Sequence, residues 1–123
     1  MSKRILIAED ERPLAYALAF KLKNAGYEVE TVFDGNAALK TLSSSTFDLL
    51  ILDLIMPKKG GFEVLEGMRL AGIVLPVIVS SNLSQAEEVQ RALALGASRV
   101  LIKSDTSLDQ ITIYVRELLS SHK

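Results

Sequence analysis

Four short, unbroken apolar runs constrain this chain most: ILIA at residues 5–8, LLIL at 49–52, VIV at 77–79 and VLI at 100–102. A strand with one wet face alternates apolar and polar residues. An unbroken run of this length therefore reads as a strand covered on both faces, as in a parallel sheet between helical layers. A fifth run, YEVETVF, differs: Val29, Thr31 and Phe33 alternate with Glu28, Glu30 and Val32, which suits an edge strand with one wetter face. Between the runs the apolar period becomes helical. Leu14, Leu18, Leu22 and Ala25 follow Pro13, a good first-turn residue, and stop at Gly26. A short helix is expected over residues 36–43, and Phe62, Leu65 and Met68 mark a third. Val89, Ala92 and Leu93 mark a fourth, opened by a capping box from Ser84 to Glu87 and closed near Gly96. Leu108, Ile111, Val115 and Leu118 mark the last, with Ser107 and Gln110 as a second box. Strand and helix alternate about five times, which implies a doubly wound α/β fold with a parallel sheet and helices on both faces.

The length of 123 residues suits a single domain, here 1–123, and 49% hydrophobic with 24% charged residues is ordinary globular composition. Fourteen basic against fifteen acidic residues leave a formal net charge of -1, so nothing electrostatic favours nucleic acid or anionic lipid as partner. The absence of cysteine removes disulfides, Cys-based zinc sites and thiol chemistry. The apolar run near the N-terminus is too short for a signal peptide and no later run approaches a membrane span, so a soluble, cytoplasmic protein without a membrane partner is expected.

In open parallel sheets ligands gather at the carboxyl ends of the strands, near the point where strand order reverses. Those ends carry Glu9, Asp10 and Glu11 after the first strand, Asp53 after the third, Ser80 and Ser81 after the fourth, and Lys103 after the fifth. Each has an ordinary explanation: acids at the start of a helix, a serine approaching a helix, a solvated surface lysine. Asp53 breaks that pattern, because helix capping near Asp10 does not explain a carboxylate ending a different, buried strand. Burying it alone would cost several kcal/mol or shift its pKa. Clustered carboxylates repel unless a cation lies among them, and oxygen-only ligands suit Mg²⁺ or another hard divalent ion, with Asp10 and Asp53 as direct ligands. A lysine aimed at the same rim would hold a phosphate as a point charge, and the Ser81 hydroxyl would bind an anionic oxygen opposite the metal.

The blocks ILIAEDE, DLLILDLIMPKKGGFEVL, LPVIVSS and LGASRVLIK resemble the successive signature blocks of the receiver domain of two-component response regulators, over nearly the whole chain. The resemblance implies a flavodoxin-like five-stranded sheet of order 2-1-3-4-5 and a phosphoacceptor switch rather than an enzyme. It makes Asp53 the phosphoacceptor and Asp10, Asp53 and the backbone carbonyl of Ile55 the Mg²⁺ ligands, with Glu9 acting through water. Ser81 and Lys103 become the phosphoryl-binding and switch residues. The donor would be a sensor histidine kinase or a histidine phosphotransfer protein, meeting the first helix near Leu14 to Leu22. A downstream protein target would meet the fourth helix, last strand and fifth helix, with Arg91, Tyr114 and Glu117 exposed. A stand-alone receiver without an output domain, resembling the chemotaxis type, or a piece of a larger protein is expected, with His122 as inert surface.

The sequence departs from the family in three places, and two further residues bear on the lifetime of the phosphorylated state. Ser104 stands where proline often follows the lysine in a cis peptide; a cis bond before a non-proline residue costs about 3 kcal/mol, so a trans bond is expected. Val100 stands where many receivers carry an aromatic switch residue. Gly60 stands where an acid is common, which is expected to change the charge of the loop without touching the site. Ile55 and Leu83, two residues after the phosphoacceptor and the hydroxyl residue, would flank the path of a hydrolysing water. Neither can orient that water, so a long-lived phosphorylated state is expected. A Mg²⁺-dependent aspartyl-phosphate hydrolase is the alternative enzyme, but its second acid would fall at Ile55. A flavodoxin-like cofactor binder lacks a G-x-G-x-x-G or P-loop, and a non-phosphorylated scaffold receiver would not need an intact site.

Overall fold

The computed structural model describes residues 2–82 and 85–121. Among these residues strands and helices alternate as β1 (Arg4–Ala8), α1 (Arg12–Asn24), β2 (Glu28–Val32), α2 (Gly35–Ser44), β3 (Leu49–Leu52), α3 (Gly61–Ala71), β4 (Val77–Ser81), α4 (Ala86–Ala94), β5 (Arg99–Ile102) and α5 (Leu108–Ser121), with a 3₁₀ turn at Lys103–Asp105. All strand pairs are parallel and the sheet order is β2-β1-β3-β4-β5. After β2 the chain crosses back past β1 to build β3, so strand order reverses between β1 and β3. The carboxyl ends of these two strands border the crevice.

The apolar runs are unbroken because each face of the sheet has its own core. Leu6, Ala8, Leu50, Leu52, Val77 and Val79 pack with residues of α2, α3 and α4. Ile5, Ile7, Leu49, Ile51, Ile78 and Leu101 pack on the other face with Leu18 and Leu22 of α1 and Ile111 and Val115 of α5. Alternation of the strand side chains sends neighbours to opposite faces, and both faces are dry. β2 is an edge strand, with Glu28 and Glu30 exposed and Val29 and Thr31 half-buried, as its alternation predicts. Val32 corrects the expectation: it lies on the Glu28/Glu30 side and is buried in the α2/α3/α4 core, because that side of the sheet is covered at the strand's end.

The helix signals hold at the ends of α1 and α5. Pro13 lies in the first turn of α1, and Gly26 beyond its end has φ 102°, a left-handed value that glycine adopts without strain. At α5 the expected capping box is formed in both directions: Ser107 N–H donates to Gln110 Oε1 at 3.0 Å, and Gln110 N–H donates to Ser107 Oγ at 3.1 Å. The box expected from Ser84 to Glu87 falls partly outside the described residues. Leu93 corrects the expectation for α4. It is 40% exposed, and the buried contact of this nine-residue helix is the small side chain of Ala92. α4 lies beside the β5 edge of the sheet, where little apolar surface remains to cover a wider stripe.

Candidate functional site

Glu9, Asp53 and Lys103 each follow a strand, and side-chain alternation gives them one direction. Glu9 continues the series Ile5, Ile7; Asp53 continues Leu49, Ile51; Lys103 continues Leu101, all on the α1/α5 face. Ladder hydrogen bonds run one residue beyond the strands to fix this rim. Glu9 N–H donates to the Val32 carbonyl at 3.1 Å and Asp53 N–H to the Ala8 carbonyl at 2.9 Å. Glu9 and Asp53 are buried, as is Ser81, which ends β4, while Asp10 and Glu11 are exposed.

Asp53 has a cation waiting for it. Lys103 Nζ lies 2.6 Å from Glu9 Oε1, 3.1 Å from Asp53 Oδ2 and 3.3 Å from Glu11 Oε1. Asp53 Oδ1 also accepts from Ile55 N–H at 3.3 Å, and Glu9 Oε2 from Glu11 N–H at 3.0 Å. Burial pushes the Glu9 carboxyl up to about 7, against the hydrogen bonds from Lys103 and from Glu11 N–H, and the charge of Asp53 adds to the rise. Burial likewise raises Asp53, with Lys103 opposing. For Lys103 burial acts downward, but the hydrogen bond to Glu9 and the charge of Asp53 prevail and hold its ammonium above the usual lysine range. One ammonium thus offsets several carboxylates without neutralising them.

Carboxylate oxygens of Glu9, Asp10 and Asp53 lie within 4.8 Å of one another. This donor set is hard, all-oxygen and under-compensated, which fits Mg²⁺ and gives no soft ligand for zinc or copper. Above it opens a pocket of about 200 Å³ lined by Asp10, Glu11, Asp53, Ile55, Ser81, Asn82 and Lys103. Beneath it, toward α1 and α5, a cavity of about 40 Å³ is walled by Leu14, Leu18, Ile111 and the rim side chains, including Ser80. The two adjacent serines therefore face different spaces.

The structure brings together Glu9, Asp10, Asp53, Ser81 and Lys103. Ile55 lines the pocket with a side chain 61% exposed. Leu83 lies outside the described residues, as does His122. The Lys103–Ser104 peptide is trans, and Val100 is half-buried against the α2/α3/α4 core. Tyr114 corrects the expectation of an exposed ring: it is half-buried, with the Arg99 guanidinium 4.0 Å from its centroid, whereas Arg91 and Glu117 are exposed.

Gly60 meets none of the named site residues, but it packs against the backbone that frames the site. A Cβ there would lie 2.9 Å from the Leu54 carbonyl oxygen, and one on Gly61 would lie 2.7 Å from the Asp53 carbonyl oxygen. The glycine pair lets the start of α3 close directly on the backbone that follows Asp53. The adjacent glycines in PKKGG were the available signal. Sequence reasoning also missed Glu11 as a partner of Lys103, although the third acid of the run AEDE is visible there.

A family model described as "Response regulator receiver domain" matches residues 5–116. The chain belongs to this family. Transcriptional regulatory protein DltR of Streptococcus agalactiae is 34% identical over 117 residues, covering 93% of this chain and 52% of its own. Transcriptional regulatory protein TctD of Salmonella typhimurium is 37% identical over 116 residues, 94% of this chain and 51% of its own. The receiver thus spans about half the length of these curated relatives. Among solved structures, the receiver domain of Francisella response regulator 1452 superposes with TM-score 0.94 at 29% identity, covering 99% of this chain and 100% of that one. The non-phosphorylated HemR receiver domain of Leptospira biflexa gives 0.89 at 28% identity, covering 97% and 95%. The sheet order 2-1-3-4-5 expected from the resemblance is the one observed.

Proposed function

We propose that this receiver accepts a phosphoryl group on Asp53 from a phosphohistidine of a sensor kinase or phosphotransfer protein, and that the resulting change in charge switches its surface. The observation that carries this reading is the contact of buried Asp53 with Lys103 beside Glu9 and Asp10. A carboxylate at the end of a rigid, buried strand is held ready for in-line attack, with little motion left to restrict. One Asp53 oxygen bonds to phosphorus as the P–N bond of the donor breaks and the imidazole takes the electron pair. Lys103 exchanges part of its contact with Asp53 for a phosphoryl oxygen, and the buried hydroxyl of Ser81 binds another. Asp10, Asp53 and the Ile55 carbonyl would hold Mg²⁺, with Glu9 acting through a water. The ion, when bound, supplies positive charge against the phosphoryl oxygens.

In this reading the phosphoprotein works in the cytoplasm, and among the described residues no helix is long and apolar enough to cross a membrane. A downstream protein reads the face of α4, β5 and α5. There Arg91 lies 3.6 Å from Glu66 and over the Phe62 ring, and Arg99 lies over Tyr114 and 3.9 Å from Glu117. These pairs tie the face to α3 and within itself, so a shift at the rim has material contacts to rearrange.

Incubation with a small acyl phosphate and Mg²⁺ is expected to add one phosphoryl group, seen as intact mass. Asp53→Asn and chelation of the metal should each prevent it. Labelling that persists in Asp53→Asn would overturn the assignment.

A further inference from the structure

Glu11 has no part in the reaction as described, yet it sits in the pocket. Its Oε1 is 3.3 Å from Lys103 Nζ, the same nitrogen that lies 3.1 Å from Asp53 Oδ2. Two carboxylates thus share one ammonium, and their depths differ. The Asp53 side chain is 6% exposed and that of Glu11 is 60% exposed, which puts Asp53 at the floor and Glu11 at the mouth. In-line displacement drives the leaving group away from the attacking Asp53 oxygen, and so from the floor toward the mouth. Among the described residues lining the pocket Lys103 is the one cation, and it is already shared. The leaving group therefore departs past a carboxylate with little to offset it.

We propose that Glu11 determines which class of phosphodonor the pocket accepts, favouring donors that leave through a protonated nitrogen over donors that leave as a carboxylate anion. The inference rests on Asp53 being the phosphoacceptor. With a phosphoramidate, the Asp53 O–P bond forms as the P–N bond breaks. The nitrogen, protonated beforehand, takes the electron pair and leaves as a neutral amine. Its positive charge is attracted to Glu11 on entry and is still partly present in the transition state. With an acyl phosphate the P–O bond breaks, the electron pair stays on oxygen, and negative charge grows toward Glu11. The carboxylate thus raises the bimolecular rate for the first class and lowers it for the second. Phosphohistidine belongs to the first class and small metabolic acyl phosphates to the second, so Glu11 would insulate the switch from adventitious phosphorylation.

The test compares phosphoramidate with acetyl phosphate on the unsubstituted chain and on Glu11→Gln, at saturating Mg²⁺. Glutamine keeps the shape and an acceptor for Lys103 but removes the charge. The ratio of the acetyl phosphate rate to the phosphoramidate rate is expected to rise about tenfold in Glu11→Gln, the order of effect of one charge a few ångströms away near a protein surface. Because Glu11 is exposed, the rise should shrink at high ionic strength, which a purely structural role would not produce. Equal changes with both donors, or a ratio shift indifferent to salt, overturns the inference and leaves the role of Asp53 standing. If neither donor labels the unsubstituted protein, the phosphoacceptor reading fails and the inference falls with it.

Discussion

The residue that organises this molecule, Asp53, is held by its neighbours' lack of side chains as much as by their presence. Gly61 closes on the Asp53 carbonyl so tightly that a methyl group at 2.7 Å would force the loop outward. Gly61→Ala should therefore cost about 2 kcal/mol, in the range of an overpacked site, measured by urea unfolding, and should slow phosphorylation of Asp53. An unchanged midpoint would show that the loop gives way freely. Ile55 acts on the other side of the chemistry. Its exposed side chain lines the pocket and carries no group that could orient a hydrolysing water. General-base assistance is worth roughly 10²-fold, so the phosphorylated protein should decay slowly, and an Ile55→Asn, Leu83→Glu double variant should decay faster. The decay of purified phosphoprotein in Mg²⁺ reads this directly. Equal lifetimes would remove Ile55 and Leu83 from the account.

At the scale of elements, the segment between β3 and α3 is the most constrained. Lys59 N–H donates to the Pro57 carbonyl at 2.8 Å, a three-residue turn that holds Lys58 at φ 67°, a left-handed value uncommon for a side chain of this kind. The turn places the Lys59 backbone where only Gly35 leaves room for it: a Cβ there would lie 2.1 Å from the Lys59 carbonyl oxygen. Lys58→Gly should stabilise the fold by about 1 kcal/mol, because relief of strain outweighs the half-exposed 3.7 Å pair with Asp34. A melting temperature no higher than that of the unsubstituted protein would show that it does not. The sequence made the strands and the rim legible because unbroken apolar runs have few alternative uses, and each ended in a polar group aimed at one edge. It also made the α5 capping box legible, since a hydroxyl and an amide three residues apart satisfy each other locally. Loop conformation and helix exposure were not legible in the same way. The crowding of Gly35, Gly60 and Gly61 comes from segments distant in sequence, and the exposure of Leu93 depends on where the sheet ends. The Lys103–Glu11 pair joins residues 92 positions apart, and only the finished sheet brings them together.

For the whole molecule, the buried acids make stability depend on pH and metal in opposite ways. The folded protein raises Glu9 from its ordinary 4.5 to about 7, so the native state holds this proton more tightly than the unfolded chain does. The contribution is fully present below about 4.5 and is lost as pH rises through about 7. Asp53 is raised by burial too and acts with the same sign. Lys103 is raised from 10.5, so its own contribution is lost only at pH values above that range. Without divalent metal, the melting temperature should therefore fall between pH 5 and pH 8 by several degrees, corresponding to about 2 kcal/mol. Bound metal requires ionised carboxylates, so stabilisation by Mg²⁺ should be largest near pH 8 and fade toward pH 5, flattening or reversing the slope. Glu9→Gln cannot titrate and should lose most of the metal-free slope, while Asp53→Asn should lose most of the stabilisation by Mg²⁺. Thermal scans across this range, with and without Mg²⁺, separate the two effects. A metal-free slope that survives Glu9→Gln unchanged would place the responsible proton elsewhere in the molecule.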